Sequence, residues 1–287
     1  MNAEEKKTLY KFFLTASAYF SGFKQEEAEL DFSDDCPLEQ VIPQEVQTDM
    51  QRQPEQGCLT AQLQKAETLS VQNRIQKLQE VYAQISVCNA CRLCECRKNV
   101  VPGEGPAELS KAALQSAEYV KAFCGIDVMV IGEGPGADED MQGRPFVGRA
   151  GQLLDKMLAA IQLFRTKNCY IANVVKCRPP NNRDPQPDET AACRNFIDAQ
   201  IAAIKPKAIL IVGRVALQNL LQTSEGIGKM HGKFLEYAGI PLMATYHPSA
   251  LLRDINLKRP AWEDLKLFRA KLDELKELKA GFNGSMA

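Results

Sequence analysis

The chain reads as an α/β protein: a three-layer α-β-α arrangement around a central four-stranded, mainly parallel sheet, with a helical or disordered N-terminal extension. Three observations predict it. Four short apolar runs, at 127–132, 170–175, 208–213 and 242–246, each give way to turn residues, and the first three are rich in Val and Ile. Helical stretches at 151–163, 188–204 and 215–221 lie between them. Strands alternating with helices imply parallel pairing with both sheet faces covered. Finally, the glycine-rich and polar blocks of the chain follow the ends of these runs, where open α/β sheets place their ligands.

Taken from the N-terminus, residues 1–30 hold Leu9, Tyr10, Phe12, Phe13, Tyr19, Phe20 and Phe23, a short aromatic-rich helical segment broken at Ser21-Gly22. Residues 31–70 start rich in Gln, Glu, Asp and Pro without a sustained period, and read as a flexible linker. Helical spacing through Leu69, Ile75, Leu78 and Ile85 leads into Cys88 and opens the main domain, 71–287. A last helix is expected over 260–279.

Charge divides unevenly. The 287 residues carry a net −1, but the first 80 hold 8 basic and 14 acidic side chains, leaving 27 and 22 in the rest. A mildly basic body suits a polyanionic partner. No run of apolar residues is long enough to span a bilayer, and MNAEEKKTLYKFF lacks the basic start and apolar core of a secretory signal, so a cytoplasmic location with no membrane partner is expected. In that setting ten cysteines point to metal or cluster binding rather than disulfides.

The first polar block is Gly132-Glu133-Gly134-Pro135-Gly136, running through Asp138, Glu139 and Asp140 to Gly143-Arg144-Pro145-Phe146-Val147-Gly148. A dinucleotide loop would need its glycines to open directly into a helix, and Pro135 intervenes; a Walker lysine is absent. The second block is Asn173-Val-Val-Lys176-Cys177-Arg178-Pro-Pro, then Asn182 and Arg183; the third is Tyr246-His247-Pro248-Ser249, followed by Leu251-Leu252-Arg253. The chain has two histidines, and His247 stands in a turn stiffened by Pro248. Cys88-Asn-Ala-Cys91 is a CxxC, and Cys177 and Cys193 follow 15 residues apart; four thiolates suit zinc or a 4Fe–4S cluster, with Cys94 and Cys96 crowding the same stretch.

These three blocks, in this order and spacing, resemble the family 4 uracil-DNA glycosylases, the iron–sulfur branch of their superfamily, over about residues 78–271. The resemblance implies a uracil-DNA glycosylase domain over 71–287 that hydrolyses the bond between flipped-out uracil and its sugar in single- or double-stranded DNA, leaving an abasic site. It implies a 4Fe–4S cluster on Cys88, Cys91, Cys177 and Cys193, a stacking role for Phe146, reading of the uracil edge by Asn173, and a donor to uracil O2 in His247. Glu139, with Asp140 second, would be the catalytic carboxylate; the Gly134 N–H would bind O2 and Glu133 would crowd the C5 edge. Ser249, Leu252 and Arg253 would enter the minor groove, and Lys176, Arg178 and Arg183 would face phosphates. A divergent branch bonds covalently to DNA through a histidine in an insertion near GRPFVG; here Arg149-Ala150-Gly151 runs straight on, so turnover is expected. A monomer is expected, with residues 1–30 available to a protein partner. The competing readings are a non-catalytic DNA-damage binding protein and a metal-stabilised adaptor.

Overall fold

A computed structural model describes residues 56–106 and 116–284, with side chains from Ser70 to Glu277 within them. The expectations for residues 1–30 and for the start of the linker lie outside the described residues. The chain divides into two units, Met1–Glu67 and Thr68–Ala287, and the second carries the sheet. The first described helix, α1 (Gln56–Ser86), begins inside the stretch expected to be linker.

Helices α2 (Leu93–Cys96) and α3 (Ala117–Cys124) precede β1 (Val128–Gly132). Then follow α4 (Ala137–Gln142), α5 (Arg149–Ala160), β2 (Cys169–Asn173), α6 (Pro187–Ile204), β3 (Ala208–Val212) and α7 (Arg214–Leu221). The chain closes through α8 (Ile227–Met230), β4 (Phe234–Tyr237), β5 (Ile240–Thr245), α9 (Pro248–Arg253) and α10 (Lys258–Gly284). Strand order is β2-β1-β3-β5-β4; every pairing is parallel except β4 with β5. Every residue of β1, β2 and β3 is buried, as expected for strands covered on both faces.

Side chains alternate between the two outer layers with the strand period of two. Met129 and Ile131 face a core shared with Ile75 and Leu78 of α1, Phe123 of α3, Ile197 and Ile201 of α6, and Leu217 of α7. Val128 and Val130 face the other core, with Leu154 and Leu158 of α5 and Leu265, Phe268 and Leu272 of α10. The three-layer reading therefore holds. The sheet has a fifth strand beyond the four expected: β4 is an edge hairpin partner of β5, joined by Ala238 and Gly239, both with positive φ, as a two-residue hairpin turn requires. Among the described residues no helix is long and apolar enough to cross a membrane.

Candidate active site

The carboxyl ends of β1, β2, β3 and β5 open into one cleft of about 610 Å³, lined by Glu133, Gly134, Glu139, Phe146, Asn173, Gly213, Tyr246, His247 and Ser249 among others. All three polar blocks of the sequence meet there.

Asn173 ends β2 with its side chain 1% exposed. Its Oδ1 is the one buried side-chain N or O without a hydrogen-bond partner among the described residues. Such an orphan costs about 1–3 kcal/mol unless a ligand satisfies it. Beside it lies the Phe146 ring. A Cβ on Gly132 would sit 2.4 Å from Phe146 Cζ and 2.6 Å from Asn173 Oδ1, so glycine is required where β1 passes beneath both. The rings of Phe146 and His247 lie 5.7 Å apart. Phe146, Asn173 and His247 are thus brought together.

Phe146 holds a left-handed backbone, φ 53°, which costs a non-glycine residue and must be fixed by its surroundings. Arg165, nearly buried, donates to the carbonyls of Pro145 (2.9 Å) and Phe146 (2.8 Å) and pairs with Glu104 and Asp155. Gly151 lets α5 pass beneath: a Cβ there would come within 1.8 Å of the Phe146 carbonyl oxygen. Neither Arg165 nor Gly151 was assigned a role from sequence.

His247 Nδ1 accepts the backbone N–H of Ser249 (3.1 Å) and lies 2.7 Å from Ser249 Oγ. The ring's proton therefore belongs on Nε2. Burial, reinforced by the Arg253 charge and opposed by Glu139, pushes the imidazole down to about 4, so it is neutral at ordinary pH. Ser249, expected in the minor groove, is engaged in orienting this ring.

The carboxylates divide differently from the expectation. Glu139 Oε1 accepts from Val147 N–H (2.8 Å) and Gly148 N–H (2.9 Å), and Oε2 from Gly136 N–H (3.1 Å). Both oxygens are engaged in shaping the loop that carries Phe146. Asp140 is a correction: it is buried away from the cleft, where Oδ1 accepts the N–H groups of Lys98 (2.9 Å) and Asn99 (3.3 Å). Glu133 lines the cleft with no side-chain hydrogen bond among the described residues. Burial, increased by the Asp184 charge and opposed by Arg214, pushes its carboxyl up to about 7. Gly134 also lines the cleft, and a Cβ there would lie 2.7 Å from Val175 Cγ2.

Arg149, Arg183, Arg214 and Arg253 line the same cleft. Arg149 and Arg214 begin α5 and α7, after Gly148 and Gly213, so guanidinium and helix dipole add at two places. Sequence reasoning passed over both; the Gly-Arg step at each helix start was the available signal. Arg183 is paired through both nitrogens with buried Glu189, and Arg178 with Asn182; Leu252 is exposed. Lys176 is the second correction. It is not at the surface but 1% exposed, its Nζ donating to Asn173 O and to Gln200 Oε1 of α6, on the wall of the cavity it lines with the cysteines.

That neighbouring cavity is lined by Cys88, Cys91, Cys94, Cys177 and Cys193, with Arg97 and Lys176; Cys96 is exposed and outside it. The eight described cysteines are free thiols, and no three ligand-type side chains among the described residues stand at metal-binding spacing. The donor set still suits a thiolate-bound cluster. Five thiols from three segments face one cavity, and the two cations there pair with no carboxylate among the described residues: Arg97 donates to Cys177 Sγ (3.2 Å).

Fold and site together define the class. The family model described as Uracil DNA glycosylase superfamily matches residues 119–266. Type-4 uracil-DNA glycosylases are among the similar proteins: 39% identity with that of Pyrobaculum aerophilum, covering 67% of this chain and 92% of the relative. That of Thermotoga maritima is also 39% identical (67% and 93%), and that of Sulfurisphaera tokodaii 38% (67% and 83%). The chain belongs to the type-4 uracil-DNA glycosylases.

Proposed function

We propose that the chain hydrolyses the N-glycosidic bond of uracil in DNA, single- or double-stranded, and leaves an abasic site. The observation that carries this reading is the orphaned Asn173 Oδ1 beside the Phe146 ring and the neutral His247. An amide offers one acceptor and one donor, matching uracil N3–H and O4, and cytosine inverts both. Phe146 supports the flipped ring.

As the bond breaks, its electron pair passes to uracil N1 and spreads onto O2, while the sugar becomes cationic at C1′. A preorganised donor at the developing anion is the efficient device, and His247 Nε2–H serves without transferring its proton. Water adds its oxygen to C1′, and a carboxylate takes the proton. We assign this to Glu133, whose oxygens are free, and give Glu139 the task of holding Gly136, Val147 and Gly148. Arg149 and Arg253, which have no ion pair among the described residues, suit phosphates around the mouth, whereas Arg183 and Arg214 are held by Glu189 and Asp184; Leu252 is the exposed apolar wedge.

Cys88, Cys91, Cys177 and Cys193 would hold the 4Fe–4S cluster. In that role these four cysteines would tie the 88–97 segment to the exit of β2 and to α6. Cys94 remains as a fifth thiol.

The test is release of free base from a uracil-containing oligonucleotide, with cytosine- and thymine-containing controls. Tight binding without release would favour the non-catalytic alternative, and neither binding nor release would sink the reading.

A further inference from the structure

The stretch from Asn173 to Cys177 places the base reader, a lysine and a cysteine of the thiol cavity within five residues. Lys176 is an unusual member. Its side chain is 1% exposed, and no carboxylate pairs with it among the described residues. Its Nζ donates to the Asn173 carbonyl at 2.8 Å and to Gln200 Oε1 at 2.7 Å, while it lines the same cavity as the cysteines. Its own carbonyl accepts from Val101 N–H (2.8 Å).

Gln200 is also fully buried and continues the network. Its Nε2 donates to Pro102 O (2.8 Å) and Tyr170 OH (3.0 Å), and Tyr170 OH meets Tyr82 OH at 2.6 Å. Tyr170 is fully buried, and Tyr82 and Pro102 are half-buried. A buried ammonium costs several kcal/mol unless its donors are satisfied, so such a residue is kept for something packing alone does not supply.

We infer that Lys176 is a positioning residue for base recognition: by clamping the Asn173 carbonyl from the thiol cavity, it fixes the peptide plane from which the Asn173 amide reaches the base. The inference rests on Asn173 being the base reader, as proposed above. It gives the thiol cavity a route to the active site through one side chain, with Lys176 neither touching substrate nor meeting DNA. Asn173 Oδ1 has no hydrogen-bond partner among the described residues, so the backbone clamp is what fixes the direction of the side chain.

The test compares two duplexes bound by the full chain. One carries the uncleavable analogue 2′-fluoro-2′-deoxyuridine, the other an abasic site. Lys176→Met keeps the apolar stem and removes the donors. The variant is expected to keep wild-type iron content and abasic-site affinity while losing about tenfold of its preference for the uracil analogue, the scale of one charged hydrogen bond. A preference equal to wild type overturns the inference, as does a parallel loss on both duplexes. If Lys176→Met does not fold, Lys176→Met/Gln200→Met, which also withdraws the orphaned Gln200 acceptor, is read the same way. The reading of the previous subsection fails separately: a wild-type chain that neither binds nor releases uracil sinks that reading, whereas an active wild type with a fully selective variant sinks only the role of Lys176.

Discussion

The backbone N–H of Ser249 donates to His247 Nδ1 at 3.1 Å, so a main-chain bond rather than a carboxylate sets the tautomer of the imidazole. His247→Ala is expected to slow single-turnover uracil release by about 10²–10³, the cost of one lost anion-stabilising donor. DNA affinity should stay near wild type. Ser249→Ala keeps the N–H and should cost less than about tenfold. Unaltered release by His247→Ala would remove the residue from the chemistry.

With Glu133 taking the proton from water, as proposed, activity and stability are expected to move in opposite directions with pH. Its carboxyl sits at about 7 in the fold against an ordinary 4.5. The ionised form accepts the proton, so the single-turnover rate should rise as pH rises through about 7 and then level. A raised carboxyl favours the fold while protonated: the contribution is complete below 4.5 and is lost as pH rises through about 7. Glu133→Gln should therefore flatten the rate profile, slow release, and melt higher than wild type at pH 8. Glu139→Gln disturbs bonds to three backbone N–H groups and should lower both rate and melting temperature. Equal melting behaviour of the two variants would overturn the division of labour.

Asn173→Asp should lose most uracil release and gain slow cytosine release, because a protonated Asp donates to cytosine N3 and accepts from its amine. Burial raises an Asp carboxyl, so the gained activity should fade as pH rises. Asn173→Ala should lose uracil release and gain nothing. Release assays on matched uracil and cytosine oligonucleotides decide it; retained uracil selectivity in Asn173→Asp would displace Asn173 from the centre of the pocket.

Gly151→Ala should be among the most damaging single-methyl changes in the chain. The added carbon meets the Phe146 carbonyl at 1.8 Å, and either α5 or the Phe146 loop must move. A stability loss of about 1–3 kcal/mol is the usual scale of overpacking. Denaturant melts and release rates should fall together. A variant with normal melting and normal release would mean the loop yields freely.

Cys177→Ser should lose iron and visible absorbance together, whereas Cys94→Ser should keep both. Iron analysis and absorbance spectra check this. Stoichiometric zinc without iron in the purified wild type would rule out the cluster.

Much of this was legible in the sequence, for identifiable reasons. The strands β1, β2 and β3 showed because burial on both faces demands unbroken Val and Ile runs. Strand β4 did not show: Phe234 and Glu236 are exposed, Leu235 and Tyr237 half-buried, and Ala238 is a poor signal for a left-handed turn. Asn173, Phe146 and His247 could be named because they stand in the motifs that carry the family resemblance; Asn173 ends β2 and His247 follows β5. Asp140 and Lys176 could not, since a charged side chain in a polar block reads as exposed until tertiary packing covers it. The engagement of Glu139 Oε1 by backbone donors was equally hidden, because Val147 and Gly148 lie eight and nine residues further on.

The parallel order β2-β1-β3-β5 has a consequence for how activity is acquired. Glu133, Asn173 and His247 follow three different strands, and His247 is delivered only when β5 pairs with β3. Each parallel pairing closes a long loop before it is rewarded, so assembly is slow and all-or-none. A nascent chain that ends before His247 contains Asn173 and Phe146 but not the imidazole that lines the cleft. The protein cannot cut DNA while half made, and the appearance of base release during refolding should coincide with formation of the complete sheet.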